Sequence, residues 1–485
     1  MQYKYKEHKI MQVGKATWEI PQSGSMRVPA RAYTTESMLP KIIADNSLSQ
    51  LINIATLPGI KKYAMAMPDI HYGYGFPIGG VAAFDCNDGI ISPGGVGYDI
   101  NCGVRFCRTN LFLEDVKDKI GTIVQGFYQF VPSGVGSHGG IRTLNNKEET
   151  EVMLKGALWA VEQGYGTSED IESTESFGRI EGANPDKVSQ RARSRGANQV
   201  GTLGSGNHFL ELGVVDEIFD QKLANQFQLS KNQIIVIVHS GSRGFGYQIC
   251  DDYLHQMVRQ INQLPFSLPD RQLACAPFQS QLGQDYFSAM CCAANYAWTN
   301  RQVLMRLAEK ALIKKLSISS ASLGLSLIYD VSHNIAKIEK HNVNGHDMTL
   351  CVHRKGATRS FPPHHPELPP KFQSIGQPVI VPGDMGTHSF LMVGTSVAMQ
   401  ETFGSCCHGA GRELSRKETL RRFKFNAIKD KLSHQGIVVY SVQKNTLVEE
   451  SPDAYKDVAE VVNAVSMAGI AKKVVRTRPL GVLKG

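Results

Sequence analysis

Residues 234–244 read IIVIVHSGSRG, with five aliphatic residues, then His239, then a loop of small residues carrying Arg243. An aliphatic run of this kind predicts a strand buried on both faces, of the type found in α/β sheets. A strand that ends in histidine and a glycine loop also predicts a site at its C-terminal end. Outward from this stretch, residues 76–106, 201–212 and 376–394 are short apolar pieces cut by glycine. They predict further β structure joined by tight loops. Helical spacing appears at Met153, Leu154, Ala157, Leu158 and Val161, inside the acidic stretch from Glu148 to Glu175. It appears again at Phe287, Met290, Ala294, Ala297 and Trp298, predicting a buried helix from Gln284 to about Leu312. Ile335 and Ile338 predict one more helix directly after His333. The fold class expected is α+β: a single large mixed α/β domain over residues 1–485, its active site in a cleft lined by glycine-rich loops.

The chain has 485 residues, 42% hydrophobic and 20% charged, which supports a large core and excludes a mainly disordered protein. The aliphatic run at 234–238 is far short of the ~20 apolar residues of a membrane span. The start, MQYKYKEHKI, is not followed by an apolar stretch, so a soluble, unexported, cytoplasmic protein is expected. A net charge of +8 favours a polyanionic partner without naming one. The ten cysteines form no CxxC pair and are expected to be reduced. The 46 glycines are clustered, which excludes collagen-like and linker architectures.

The polar signal sits at the edges of those clusters. GGVGYDINCG (94–103) holds Asp99 and Cys102, and GTLGSGNHFLEL (201–212) holds Asn207, His208 and Glu211. HSGSRG (239–244) opens on His239, YDVSHN (329–334) holds His333, and SCCHGAGR (405–412) holds His408. One such residue beside glycine is usually a turn or capping residue. Several together on loop boundaries point to a metal site, and thiolate with imidazole favours zinc on ligand softness alone. The glycines suit backbone binding of phosphate, yet no GxxxxGK[ST] or KxDG is present. A covalent nucleotide would therefore need another nucleophile, and His408, with glycine after it, is sterically open for that role. Lys187, Arg191, Arg193 and Arg195 form a basic run, and Arg243 and Arg412 lie inside glycine loops. Guanidinium groups suit phosphate. Few aromatic residues flank these arginines in sequence, so backbone recognition rather than base stacking is expected.

Taken together, DIHYGYGFPIGG (69–80), GGVGYDINCGVR (94–105), GTLGSGNHFLE (201–211), HSGSRGFG (239–246), HRKGATR (353–359), HGAGR (408–412) and RPLGVLKG (478–485) resemble the RtcB family. These are GTP-dependent RNA ligases that join 3′-phosphate or 2′,3′-cyclic phosphate ends to 5′-hydroxyl ends. The resemblance implies that His408 carries GMP as a phosphoramidate. It implies that Asp99, Cys102, His208, His239 and His333 hold two manganese ions, Cys102 bridging, and this replaces zinc. It implies that Asn207, Glu211, Ser389, Tyr455 and Lys484 contact GMP, although Lys484 by itself reads as part of a frayed tail. It implies that Arg195, Arg243 and Arg412 hold RNA phosphates, that the RNA derives from tRNA splicing or repair, and that an archease can be an activating partner. One departure is PGDMG, where the family loop has serine and this chain has Asp384. The Cys406–Cys407 pair beside His408 is a potential oxidation site. Two other readings of the same residues are a metal-dependent phosphohydrolase that needs no GTP, and a non-catalytic RNA-binding subunit.

Overall fold

The computed structural model describes residues 2–485. Strand Gln233–Ser240 is buried along its whole length, as its composition demands. Its alternate residues divide between two cores. Ile234, Val236 and Val238 pack with the long helix Gln281–Leu316, whereas Ile235 and Ile237 pack with Ile380, Leu391 and Leu432 on the other face. Burial on both faces explains the unbroken aliphatic run. The sheet is not the parallel kind that such a run suggests, because the strand is antiparallel to both neighbours, Gly103–Phe112 and Phe209–Ile218.

The full strand order is Ser326–Ser332, Gly103–Phe112, Gln233–Ser240, Phe209–Ile218, Ala471–Lys484, Ser389–Gly394 and Pro378–Val381, with Val438–Ser441 added in parallel on Ala471–Lys484. A second sheet runs Gln2–Tyr5, His8–Gly14, Thr17–Ile20, Ala30–Tyr33, Ala64–His71, Ile78–Asp85, His346–Lys355 and Asn334–Val343. The chain is thus mixed α and β, as expected.

The predicted helix at Gln284 to Leu312 is present and longer, as Gln281–Leu316, and its middle is buried on every side, the polar Asn295, Thr299, Asn300, Arg301 and Gln302 included. The helix predicted around Met153 to Val161 is broken into Asn146–Lys155 and Ala157–Glu162 at Gly156, whose φ is +59°. The helix predicted after His333 is instead the strand Asn334–Val343. Ile338, Lys340 and Asn342 face out there, while Lys337, Glu339 and His341 face in. Those inward polar groups are paired: Lys337 with Glu175, and Glu339 with Arg354 and His341. Buried charge hid the period of two from a hydropathy reading.

Candidate functional site

The antiparallel register builds the site. In the pairing of five adjacent strands, Ser332 lies opposite Gly103, His239 opposite both Val104 and Phe209, and Phe209 opposite Lys484. His333, Cys102, His239, His208 and Lys484 therefore reach one edge of the sheet, two from strand starts and three from strand ends. Cys102 Sγ lies 3.3 Å from Nε2 of both His208 and His239. His239 Nε2 is 3.3 Å from His333 Nε2, and His208 Nε2 is 2.8 Å from Asp99 Oδ2. Two donor groups result, Cys102–His239–His333 and Asp99–Cys102–His208, sharing the cysteine.

The chemistry of these donors fits cations. Burial pushes His239 and His333 well below the ordinary imidazole range, so their lone pairs are free to bind. Burial and then Asp99 push the Cys102 thiol well above its usual value, so the thiolate needs a cation beside it. Lone-pair atoms converging within hydrogen-bond distance of one another make poor partners by themselves and good ligands for two ions.

Two consecutive residues of the long helix hold the loops behind this cluster. Asn300 accepts from the backbone N–H of Gly201 and Thr202 and donates to the carbonyls of Thr202 and Gly241. Arg301 donates to the carbonyls of Asn101 and Ser240, and its charge is met by Asp330. At Gly204, with φ +97°, a Cβ would lie 2.4 Å from both His208 Nδ1 and Arg243 Nη1.

Beside the cluster, on the wall of the same cavity, stands His408, directly after the short strand Ser405–Cys407. Its ring is 4.9 Å from that of His333. Nδ1 lies 2.5 Å from Oδ2 of Asp69, a fully buried carboxylate. Asp69 sits in a bulge, since Ala66 pairs with Gly80 and His71 with Ile78. The carbonyls of Pro68 and Ile70, freed by that bulge, accept from Lys456 Nζ. Gly411, φ +74°, backs onto the same bulge, and a Cβ there would be 2.3 Å from the Asp69 carbonyl oxygen.

The cavity between these groups is ≈ 390 Å³, a size suited to a nucleotide. Asn207, Asp384, Arg412, Tyr455 and Lys484 line it with Asp99, Cys102, His239, His333 and His408, whereas His208 and Glu211 lie behind the lining. Lys484 is 4% exposed and ends an interior strand, so the tail is not frayed. Its ammonium is pulled down to about 8 by burial. Burial, then Asp384, pushes the Glu211 carboxyl up to about 8. Ser389 lies outside the lining and accepts from the Gly383 N–H, holding the loop. Asp384 turns onto its own loop, accepting from Gly386 N and Thr387 Oγ1. Cys406 and Cys407 are fully buried.

The arginines separate. Arg412 lines the cavity and donates to Tyr455 Oη and Glu450. Arg243 is held by Thr202, Ser137 and the Gly134 carbonyl behind His208. Arg195 lies off the cavity, bonded to Gln248 and over the ring of Tyr247. Aromatic residues are thus not sparse around it, because Tyr247 and Tyr98 come from other segments. Reading the sequence also missed Asp69, His71, Lys355 and Arg416, of which the last three line the cavity. Asp69 and His71 stand in DIHYGYG and Lys355 in HRKGATR, so both motifs held the signal.

A family model described as tRNA-splicing ligase RtcB matches residues 50–485. The chain belongs to the RtcB family. Among curated proteins, the tRNA-splicing ligase RtcB of Archaeoglobus fulgidus is 50% identical over 96% of this chain and 97% of its own. Those of Thermococcus kodakarensis and Pyrobaculum aerophilum are each 48% identical over 98% of this chain and 99% of theirs. This RtcB-family chain has no helix long and apolar enough to cross a membrane among the described residues.

Proposed function

We propose that the chain, acting as one unit over residues 1–485, is an RNA ligase of tRNA splicing or RNA repair. It joins 2′,3′-cyclic phosphate or 3′-phosphate ends to 5′-hydroxyl ends with GTP and two manganese ions, and an archease can activate it. The observation that carries this reading is His408 facing the shared-thiol cluster with Nδ1 committed to Asp69. A ring whose Nδ1–H donates to a carboxylate keeps its Nε2 lone pair for attack.

Nε2 of His408 attacks the α-phosphorus of GTP, forming a P–N bond as the α–β P–O bond breaks and pyrophosphate takes the electron pair. Asp69 stabilises the positive charge that grows on the ring. An RNA 3′-phosphate oxygen then attacks the same phosphorus, and the P–N electrons return to His408. The 5′-hydroxyl gives up its proton to solvent as its oxygen attacks the activated 3′-phosphate, and GMP leaves with the bonding pair. Arg412 and Lys484 on the cavity wall would balance phosphate charge, with Asn207 and Tyr455 beside the nucleotide and Glu211 buried behind the lining. Cys102, His239, His333, Asp99 and His208 would hold the ions, which would supply Lewis-acid stabilisation of phosphate charge.

The test is incubation with α-labelled GTP and manganese, with and without an archease, followed by denaturing electrophoresis. An acid-labile, alkali-resistant label absent from His408→Ala is expected. No label on folded, metal-loaded protein overturns the reading in favour of hydrolysis or plain RNA binding.

A further inference from the structure

Three tyrosines and an arginine from four separate segments form a ladder that leads out of the cavity. Tyr74 and Tyr98 line the cavity, Tyr98 being the residue before Asp99. Their rings meet edge to face at 6.2 Å. Tyr98 stacks on Tyr247 at 4.8 Å between centroids with 26° between planes. The Arg195 guanidinium lies 5.1 Å from the Tyr247 centroid.

Packing alone does not account for this ladder. Tyr247 is 45% exposed, so its ring is not a core element. Among the described residues, none of the three hydroxyls has a hydrogen bond within the chain, so the rings are not held for their polar ends. Arg191 and Arg195 are both exposed, four apart on helix Gln190–Gly196, and neither has a carboxylate partner among the described residues. Of the nearby acids, Asp252 is taken by Ser189 and Gln248 and Asp251 lies against His255. The outcome is a stack of two tyrosine rings capped by the exposed Arg195 guanidinium, with exposed Arg191 on the same helix, starting at the metal-type donor cluster and ending in solvent. A nucleobase offers a face to such a stack and its phosphate suits the arginines. Paired bases hide their faces, so the fit is to a single strand.

We propose that Tyr98, Tyr247 and Arg195 form a stacking platform for the unpaired bases next to the reacting RNA end, with Arg191 on the strand's phosphates. The proposal rests on the ligase reading and deepens it by giving the substrate a single-stranded end. It also gives Arg195 a stacking role rather than a phosphate one.

The test uses the full-length, manganese-loaded protein and an unstructured RNA decamer with a 3′-phosphate and 2-aminopurine as its penultimate base. The wild type is expected to quench the probe. Tyr247→Leu is expected to lose roughly 5- to 150-fold in affinity, the range for one stacked base, while Tyr247→Phe keeps it. A decamer abasic at its last two positions is expected to bind wild type and Tyr247→Leu equally weakly. Equal affinity of wild type for the abasic and base-bearing RNAs, or no effect of Tyr247→Leu, would overturn the platform. Tyr247 is half exposed, and the abasic comparison uses wild type only, so neither arm depends on a damaged fold. The GTP label on wild-type His408 is scored in parallel. A labelled protein indifferent to the bases loses the platform alone, whereas a protein with neither label nor RNA affinity loses the ligase reading too. Loss of affinity equal for both RNAs in Tyr247→Leu would overturn the platform and leave Tyr247 as a support that positions Arg195 for phosphate.

Discussion

One carboxylate oxygen of Asp69 holds both ends of His408, accepting from the ring Nδ1 at 2.5 Å and from the backbone N–H at 3.1 Å, across 339 residues of sequence. The ring is thereby fixed in rotation and in tautomer. Asp69→Asn keeps the shape but loses the charge, and its amide can donate to Nδ1 and so place the proton on Nε2. The rate of His408 labelling from GTP is expected to fall about 100-fold or more, measured in single turnover. An unchanged rate would remove Asp69 from the mechanism.

Cys102 is the only residue in both donor groups among the described residues. Metal analysis by mass spectrometry should therefore find two manganese ions per wild-type chain, about one in His208→Ala and none in Cys102→Ala. Adding manganese should raise the wild-type Tm, since a ligand at about 100 times its Kd adds roughly 2.7 kcal/mol. One ion retained by Cys102→Ala would contradict a shared thiolate.

Asn300 is fully buried and bonds to two loops, so Asn300→Leu strands several backbone groups. Each is expected to cost about 1–3 kcal/mol of stability. Manganese affinity, read by titration calorimetry, should drop about 10- to 100-fold because the loosened loops adjoin His208 and the strand end that carries His239. Lower stability with unchanged affinity would make Asn300 a core residue only.

Glu211 gives a pH signature. Its folded carboxyl lies at about 8, against an ordinary 4.5. Between these values the folded state holds a proton that the unfolded chain has released, so stability falls as pH rises from about 4.5 to 8 and levels off above. Tm against pH should show this slope in the wild type and not in Glu211→Gln. Lys484, pulled down to about 8, acts in the next window, raising stability from about 8 to 10.5. Asp384→Ser removes a neighbouring negative charge, and the Glu211 slope should end at a lower pH.

Asp384→Ser also tests recognition. The carboxylate binds its own loop at Gly386 and Thr387, so it is a loop brace on the wall of the cavity. Its loss is expected to change the ratio of GTP to ATP labelling by less than about tenfold, since one uncharged hydroxyl replaces part of the brace. A larger swing would mean that Asp384 touches the base.

Local pattern determined a good part of this protein. The strand Gln233–Ser240 and the helix Gln281–Leu316 were legible because aliphatic runs and helical spacing report burial between chain neighbours. The donor types at Asp99, Cys102, His208, His239 and His333 were legible because loops at glycine boundaries free side chains for chemistry. Only the tertiary structure decided the rest. The register of five antiparallel strands set the donors on one edge, and it turned Lys484 from tail into strand end. A bulge braced by Lys456 carried Asp69 to His408, and separate segments brought Tyr98, Tyr247 and Arg195 together. The strand Asn334–Val343 read as helix because the partners of its buried charges, Glu175 and Arg354, lie elsewhere in sequence. Periodicity records which residues leave water, but which partner each one meets is set by long-range packing, and that is not written between neighbours.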